Sequence, residues 1–375
     1  MRALMTATVA SMIGQFNMNN IKLLLDLGYE VDVACNFEDM TSWNKERIEK
    51  FKGELREMDI NIYQIDFERS IFKINNHLRA YNQMRKLMND RKYTLIHTHT
   101  PISSLLTRLA YRKSQIYTSC RMIYTAHGFH FFKGNNPIKN IIFKAIERYG
   151  AKYTDTLITI NKEDYNAAKK FRLKKNGNVE YVPGIGIDLD KIDSIQGNKE
   201  KLCNELNIPN DSILLLSVGE LNDNKNHKIV IDILNKLPDN VHYLICGQGI
   251  LKKNHLENAK EKGVDSRLHL LGFRNDVIQV MKSCDIFVFP SKREGLSVAL
   301  MEAMASGLIC VVSNIRGNND LMNDYSNGHL FNVNNSDELI EVTKKVLKDK
   351  KINFSMYNYG VKTIRKKMKS IYSYD

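Results

Sequence analysis

Short apolar runs and longer amphipathic stretches alternate along this chain from end to end. Leu4 to Val9, Val31 to Cys35, Ile60 to Ile65, Leu95 to Thr98, Met122 to Ala126 and Thr156 to Ile160 have the length and continuity of strands covered on both faces. Between them, Asn19 to Leu27, Trp43 to Glu57, Asn75 to Asp90, Ser103 to Lys113 and Ile138 to Tyr149 carry helical patterns. Strand and helix in strict succession predict a parallel, doubly wound sheet, because parallel neighbours need a crossover between them.

After one more strand the alternation pauses at Val182-Pro-Gly-Ile-Gly-Ile-Asp188, where breakers predict a domain boundary. A second α/β series follows at Ile213 to Val218, Val241 to Cys246, Arg267 to Leu270, Asp285 to Pro290 and Leu308 to Val312. At 375 residues the chain is long enough for two cores. The expected division is 1–184, 185–353 and a terminal helix at 354–375, from about Phe354 to Tyr372, carrying Arg365, Lys366, Lys367 and Lys369.

Charge gives the two halves different characters. Of a net +13, residues 1–185 hold 29 Lys/Arg against 18 Asp/Glu, and residues 186–375 hold 26 against 24. Within the basic half, residues 69–152 have 16 basic side chains and two acids, Asp90 and Glu147. That imbalance points to an anionic partner, a phospholipid surface or a nucleic acid. Tyr81, Tyr93, Tyr111, Phe131 and Phe132 suit either, but with no RNA-binding motif or zinc finger the membrane is favoured.

The six cysteines form no close pair and several fall in apolar runs, so they read as reduced core residues of a cytoplasmic protein, with no disulfide framework and no metal site. Met1 to Gly14 reads as a first strand and not as a signal peptide, since no small-residue cleavage site follows. No apolar stretch approaches the ~18 residues of a membrane-spanning helix.

The chemistry concentrates near Glu294 and Glu302, which have seven residues between them. Ile286 to Pro290 reads as a buried strand, Gly295 breaks the backbone, and Ser297 to Ala305 reads as helix. Glu294 is thus placed on the strand-to-helix turn and Glu302 about two turns inside the helix. In an open α/β sheet, ligands bind beyond the carboxyl ends of the strands, and a helix start there offers free N–H groups to an anion such as a diphosphate. Two flanking carboxylates would accept hydrogen bonds from paired sugar hydroxyls.

The run REGLSVALMEAMASG, with Glu294, Gly295, Glu302 and Gly307, resembles the donor-site signature of glycosyltransferase family 4. The resemblance implies the α/β GT-B fold: two Rossmann-like, doubly wound parallel-sheet domains facing across a cleft, with the C-terminal helix crossing back to the N-terminal domain. It extends over almost the whole chain and is similar to the bacterial exopolysaccharide and capsular polysaccharide branch. In Ser217-Val-Gly-Glu-Leu-Asn-Asp-Asn-Lys225-Asn, Lys225 falls at a diphosphate-gripping lysine. Glu220 stands where that family has an arginine and Asn226 where it has a glycine, with Arg293 or Arg316 as candidates to compensate.

His127, in Tyr-Thr-Ala-His-Gly-Phe-His, matches a histidine that contacts the donor sugar beside its anomeric carbon. His97 and His99, two residues apart, would point to one face of an extended segment, and no third metal ligand is evident nearby. They divide evenly between structural histidines at a strand end and, with Gly14, the acceptor side. Gly247, Phe273 and Arg274 are consistent with a nucleoside slot, and Gly295, Leu296 and Ser297 with the diphosphate.

The resemblance therefore implies a retaining transferase that uses a nucleoside-diphosphate sugar, a UDP-sugar above others, and an undecaprenyl-diphosphate-linked acceptor. It requires no metal, with stimulation by magnesium left open. The basic first domain would lie peripherally on the anionic inner face of the plasma membrane, with no nucleic acid as partner. Two alternatives stand beside this reading: a nucleotide-sugar 2-epimerase of similar architecture, and a basic nucleic-acid-binding protein using residues 69–152.

Overall fold

The computed structural model describes residues 1–70, 72–323, 325–348 and 356–373. They form two compact units, one of 1–185 with 362–375 and one of 186–361.

The first unit is built on a seven-stranded sheet of order β3-β2-β1-β4-β5-β6-β7. Its strands are β1 (Arg2–Val9), β2 (Glu30–Asn36), β3 (Asn61–Gln64), β4 (Leu95–His99), β5 (Arg121–Ala126), β6 (Thr156–Thr159) and β7 (Asn178–Tyr181). All pairings are parallel. The central β1 and β4 are buried almost throughout, as expected of strands covered by helices on both faces. Every crossover carries a helix, and two of these open on proline: Pro101–Arg112 and Pro137–Ala151, the latter capped by the Asn136 side chain, which accepts from the Ile138 and Lys139 amides at 3.0 and 3.2 Å. Helix Ala10–Phe16 lies immediately after β1, where the sequence pattern gave no separate element. The terminal helix runs Val361–Tyr372 and buries Ile364, Met368, Ile371 and Tyr372 in the core around β1 and β2. The expected start at Phe354 lies outside the described residues.

The second unit repeats the plan with six parallel strands in the order β10-β9-β8-β11-β12-β13. They are β8 (Ile213–Val218), β9 (Val241–Cys246), β10 (Leu268–Gly272), β11 (Ile286–Phe289), β12 (Ile309–Ser313) and β13 (Gly328–Phe331). β13 was not anticipated: it is a half-buried edge strand that opens on glycine and offers little apolar run to read. All six cysteines are buried thiols. Among the described residues, no helix is long and apolar enough to cross a membrane.

Candidate functional site

In each sheet the strand order reverses once, between β1 and β4 and between β8 and β11. Adjacent loops there leave in opposite directions and open a crevice at the carboxyl ends of the strands. In the second unit the loops after β8 and β11 carry the chemistry that the sequence singles out. Lys225 Nζ lies 2.7 Å from Glu294 Oε1, with both side chains largely shielded from solvent. The ammonium also sits 4.8 Å from the centroid of Phe289.

One backbone bond and two asparagine side chains lock the two loops in this register. The Lys292 amide donates to Asn224 O at 2.8 Å, Asn224 Nδ2 to Arg293 O at 3.0 Å, and Asn226 Nδ2 to Pro290 O at 3.2 Å. Asn226 adopts φ +56°, a left-handed conformation that asparagine tolerates, so its place where a glycine was expected has a structural reason.

The pairing leaves capacity on both partners. An ammonium has three donors and a carboxylate two acceptor oxygens, so Lys225 retains two N–H groups and Glu294 retains Oε2. Next to them, helix Val298–Ala305 begins with Ser297 as its cap, whose Oγ accepts the Leu300 amide at 3.3 Å. The amides of Gly295, Leu296 and Ser297 have no acceptor among the described residues, the condition for binding an anion at a helix start. Glu302 is the fifth residue of this helix, just over one turn inside it and not two. Burial raises its carboxyl above the ordinary range and the nearby Lys191 opposes that shift.

Glu220, the charge reversal, is exposed. Arg293 is exposed as well, while Arg316 is partly buried. Gly247 is required sterically, since a Cβ there would lie 1.8 Å from Gly219 O. Phe273 is exposed on the loop after β10. The Arg274 guanidinium is engaged within the protein: its Nε and Nη2 each donate to Asp276 at 2.8 Å and its Nη1 to Glu205 at 2.5 Å.

The first unit gathers histidines at its strand ends. His97 and His99 do share one face of β4, with ring centroids 4.2 Å apart. His97 is fully buried, with Nδ1 at 2.8 Å from Tyr372 Oη and Nε2 at 2.8 Å from Thr125 Oγ1. It is a structural residue that ties the terminal helix to the sheet, and the acceptor-side alternative for it falls. Gly14 is required sterically: a Cβ there would lie 2.3 Å from the Trp43 ring, so glycine is what lets Trp43 close over helix Ala10–Phe16.

His99 is also buried, between Met5 Sδ at 3.2 Å from its Nε2 and His127 Nε2 at 3.0 Å from its Nδ1. Burial holds all three imidazoles neutral, with His97 pushed down to about 3, His127 down to about 4 and His99 well below the ordinary value. The contacts then fix the protons. A thioether sulfur only accepts, so His99 Nε2 carries its hydrogen and its Nδ1 accepts from His127 Nε2–H. His127 is left with Nδ1 as a lone-pair acceptor.

Thr100, between His99 and Pro101, is a residue that sequence reasoning missed. It adopts φ +66°, an outlier for a β-branched residue. Its Oγ1 bonds to Thr8 Oγ1 at 2.8 Å and Ser103 Oγ at 2.6 Å, which stitches β1 to β4 at their reversal point.

Two parallel α/β units, each with functional groups at its strand reversal, have the architecture of GT-B sugar transferases. A solved Anabaena protein, Alr3699/HepE in complex with UDP-glucose, shares this fold with a TM-score of 0.72 over 99% of each chain, at 15% identity. Residues 198–363 match the model of glycosyl transferases group 1, and residues 14–161 match glycosyl transferase 4-like. An Escherichia coli UDP-Gal:alpha-D-GlcNAc-diphosphoundecaprenol alpha-1,3-galactosyltransferase is 32% identical over 292 residues, 75% of this chain and 73% of the relative. A Campylobacter jejuni N,N'-diacetylbacillosaminyl-diphospho-undecaprenol alpha-1,3-N-acetylgalactosaminyltransferase is 23% identical over 348 residues, 91% of this chain and 88% of the relative. The chain belongs to the family 4 glycosyltransferases and is a glycosyltransferase, not the epimerase or nucleic-acid-binding protein of the alternatives.

Proposed function

We propose that this protein transfers a sugar from a UDP-sugar, with retention, to an undecaprenyl-diphosphate-linked saccharide during bacterial surface polysaccharide assembly. The observation that carries the donor half is the Lys225–Glu294 pair beside the helix start at Ser297. The two relatives' names supply the lipid-linked acceptor, and the UDP-glucose complex of the Anabaena protein supports the UDP donor.

In this reading the spare N–H groups of Lys225 and the amides of Gly295 to Ser297 hold the diphosphate. Glu294 Oε2 accepts from the sugar's hydroxyls and Glu302 from the ribose diol, while His127 Nδ1 is the acceptor that the first unit offers to a substrate hydroxyl. Gly247 and Phe273 remain candidates for the base. The acceptor hydroxyl attacks the anomeric carbon on the face that the diphosphate leaves, and the departing β-phosphate oxygen takes its proton. Protein groups then position the reactants and stabilise the leaving charge. Lysine and oriented amides can offset a diphosphate, so no metal is required, although magnesium could stimulate. The uncompensated cations of residues 69–152 would hold the first unit on an anionic bilayer at the inner face of the plasma membrane.

Incubation with a panel of radiolabelled UDP-sugars and undecaprenyl-diphosphate saccharides should give labelled lipid with retained anomeric configuration. Epimerised nucleotide sugar without labelled lipid would overturn the reading.

A further inference from the structure

Over helix Pro101–Arg112, between the start of helix Ile74–Arg91 and helix Pro137–Ala151, lies a groove of about 220 Å³. Its walls are Ile102, Leu105, Leu106, Phe143 and Ile146, with His77 and His130 beside them. One carboxylate, Glu147, borders it but is 4% exposed and already engaged by Arg108 Nη2 at 3.2 Å and Tyr124 Oη at 3.0 Å. The groove therefore offers an apolar guest shape and contact and asks for little hydrogen bonding.

Both flanking helices continue this apolar surface outward. Ile74 and Leu78, 66% and 59% exposed, share a helix face with His77; Phe72 just before them is 84% exposed. On the other flank Ile138, Ile141 and Ile142 are 69%, 70% and 52% exposed at i, i+3, i+4 spacing. Large apolar side chains gathered this way mark an interaction surface. Charge decides what kind. The two acids of residues 69–152 are both spent, Glu147 in the core and Asp90 in an ion pair with Lys86 at 2.5 Å. Lys133, Lys139, Lys144 and Arg148 are exposed and form no ion pair among the described residues. Glu68 and Asp66 on the other flank are already paired with Lys73 and Arg79, so the unpaired charge around the groove is positive, which complements an anionic lipid.

Position along the chain narrows the lipid further. Ile102 follows His99 by three residues, and His130 follows His127 by three, so the groove begins where the β4 and β5 strand ends deliver their histidines. We propose that this groove binds the polyisoprenoid chain of the lipid-linked acceptor, while the flanking isoleucines, Phe72 and Leu78 enter the bilayer around it. The assignment rests on the lipid-linked acceptor proposed above and adds the residues that select for the lipid part.

The test is photo-crosslinking of the full chain in detergent micelles to an undecaprenyl diphosphate carrying a diazirine within its isoprenoid chain, with sites mapped by mass spectrometry. Label is expected on residues 102–106 and 143–146 and should be displaced by unlabelled undecaprenyl diphosphate. Ile146→Trp, which fills the groove, should remove that label and raise KM for a long-chain acceptor about tenfold, with kcat for a water-soluble acceptor of the same saccharide unchanged. UDP binding by calorimetry reports that the variant is folded, and Leu105→Gln provides a second variant if it is not. Label elsewhere, or unaltered labelling and KM in the folded variants, overturns the proposal. Wild-type transfer to the lipid acceptor with no label in the groove sinks the groove alone. Groove labelling without any transfer sinks the acceptor assignment and leaves the groove.

Discussion

In the second unit, the loops at the strand reversal hold an ion pair, Lys225 with Glu294; in the first, β4 and the loop after β5 hold three imidazoles kept neutral by burial. Under the proposed function the difference follows from what each set would meet. A diphosphate is a concentrated anion, which a lysine and a row of oriented amides can hold while a carboxylate takes the hydroxyls. A neutral histidine instead offers one donor and one acceptor, and here Met5 and His99 decide which nitrogen of His127 is which. In the proposed reaction one unit would work by charge and the other by proton placement.

The comparison can be broken most strongly at His127. His127→Ala should abolish transfer, with turnover reduced ~10²- to 10³-fold or more, the scale of removing one preorganised polar group from an active site. Normal far-UV circular dichroism with near-normal turnover would remove His127 from the site. A smaller effect is expected one step back. Met5→Leu keeps the volume but removes the sulfur acceptor, so the His99 proton is no longer fixed. Nitrogen-15 NMR should show His127 as the Nε2–H tautomer in wild type and a mixture in the variant, with kcat lower and KM for the donor little changed. An identical tautomer in both would show that Met5 does not place the proton.

Acid should act through the same burial. His97 and His127 titrate at about 3 and about 4 in the folded chain, below the ~6.5 of a free imidazole. The unfolded chain therefore binds more protons between those values. Stability is fully present above about pH 6.5 and is lost as pH falls toward 4 and then 3. Urea midpoints should drop over that range, and His97→Gln, which can keep a bond to Thr125 or Tyr372 without titrating, should flatten the slope. A midpoint independent of pH from 7 to 4 would contradict the burial argument. The smallest effect belongs to Arg274. Since its guanidinium is taken by Asp276 and Glu205, Arg274→Ala should change UDP affinity by less than about threefold in a calorimetric titration. A loss of tenfold or more would return it to the nucleoside slot.

The two sites were legible in the sequence to different degrees for a physical reason. Glu294, Gly295 and Ser297 sit in one short turn, and Lys225 lies on the neighbouring loop that a doubly wound sheet must bring beside it, so local pattern and topology suffice. The partners of His97 cannot be read that way. Tyr372 is 275 positions distant and Thr125 28, and only the folded sheet shows that both imidazole nitrogens are satisfied. The steric need for glycine at position 14 comes from Trp43, 29 positions on, and only the fold brings that ring to it. The partners of the Arg274 side chain were not legible either, since Asp276 lies two residues on but Glu205 lies on another helix. The strand alternation was legible almost throughout, and β13 escaped because an edge strand needs no continuous apolar run.

The donor site's central claim is most directly tested by single-turnover transfer in Glu294→Ala at saturating UDP-sugar, beside wild type. If Glu294 holds the sugar and orients Lys225, the chemical step should fall ~10²- to 10³-fold while the variant stays folded and still binds UDP. A single-turnover rate within a few-fold of wild type would place the donor sugar elsewhere and contradict the account.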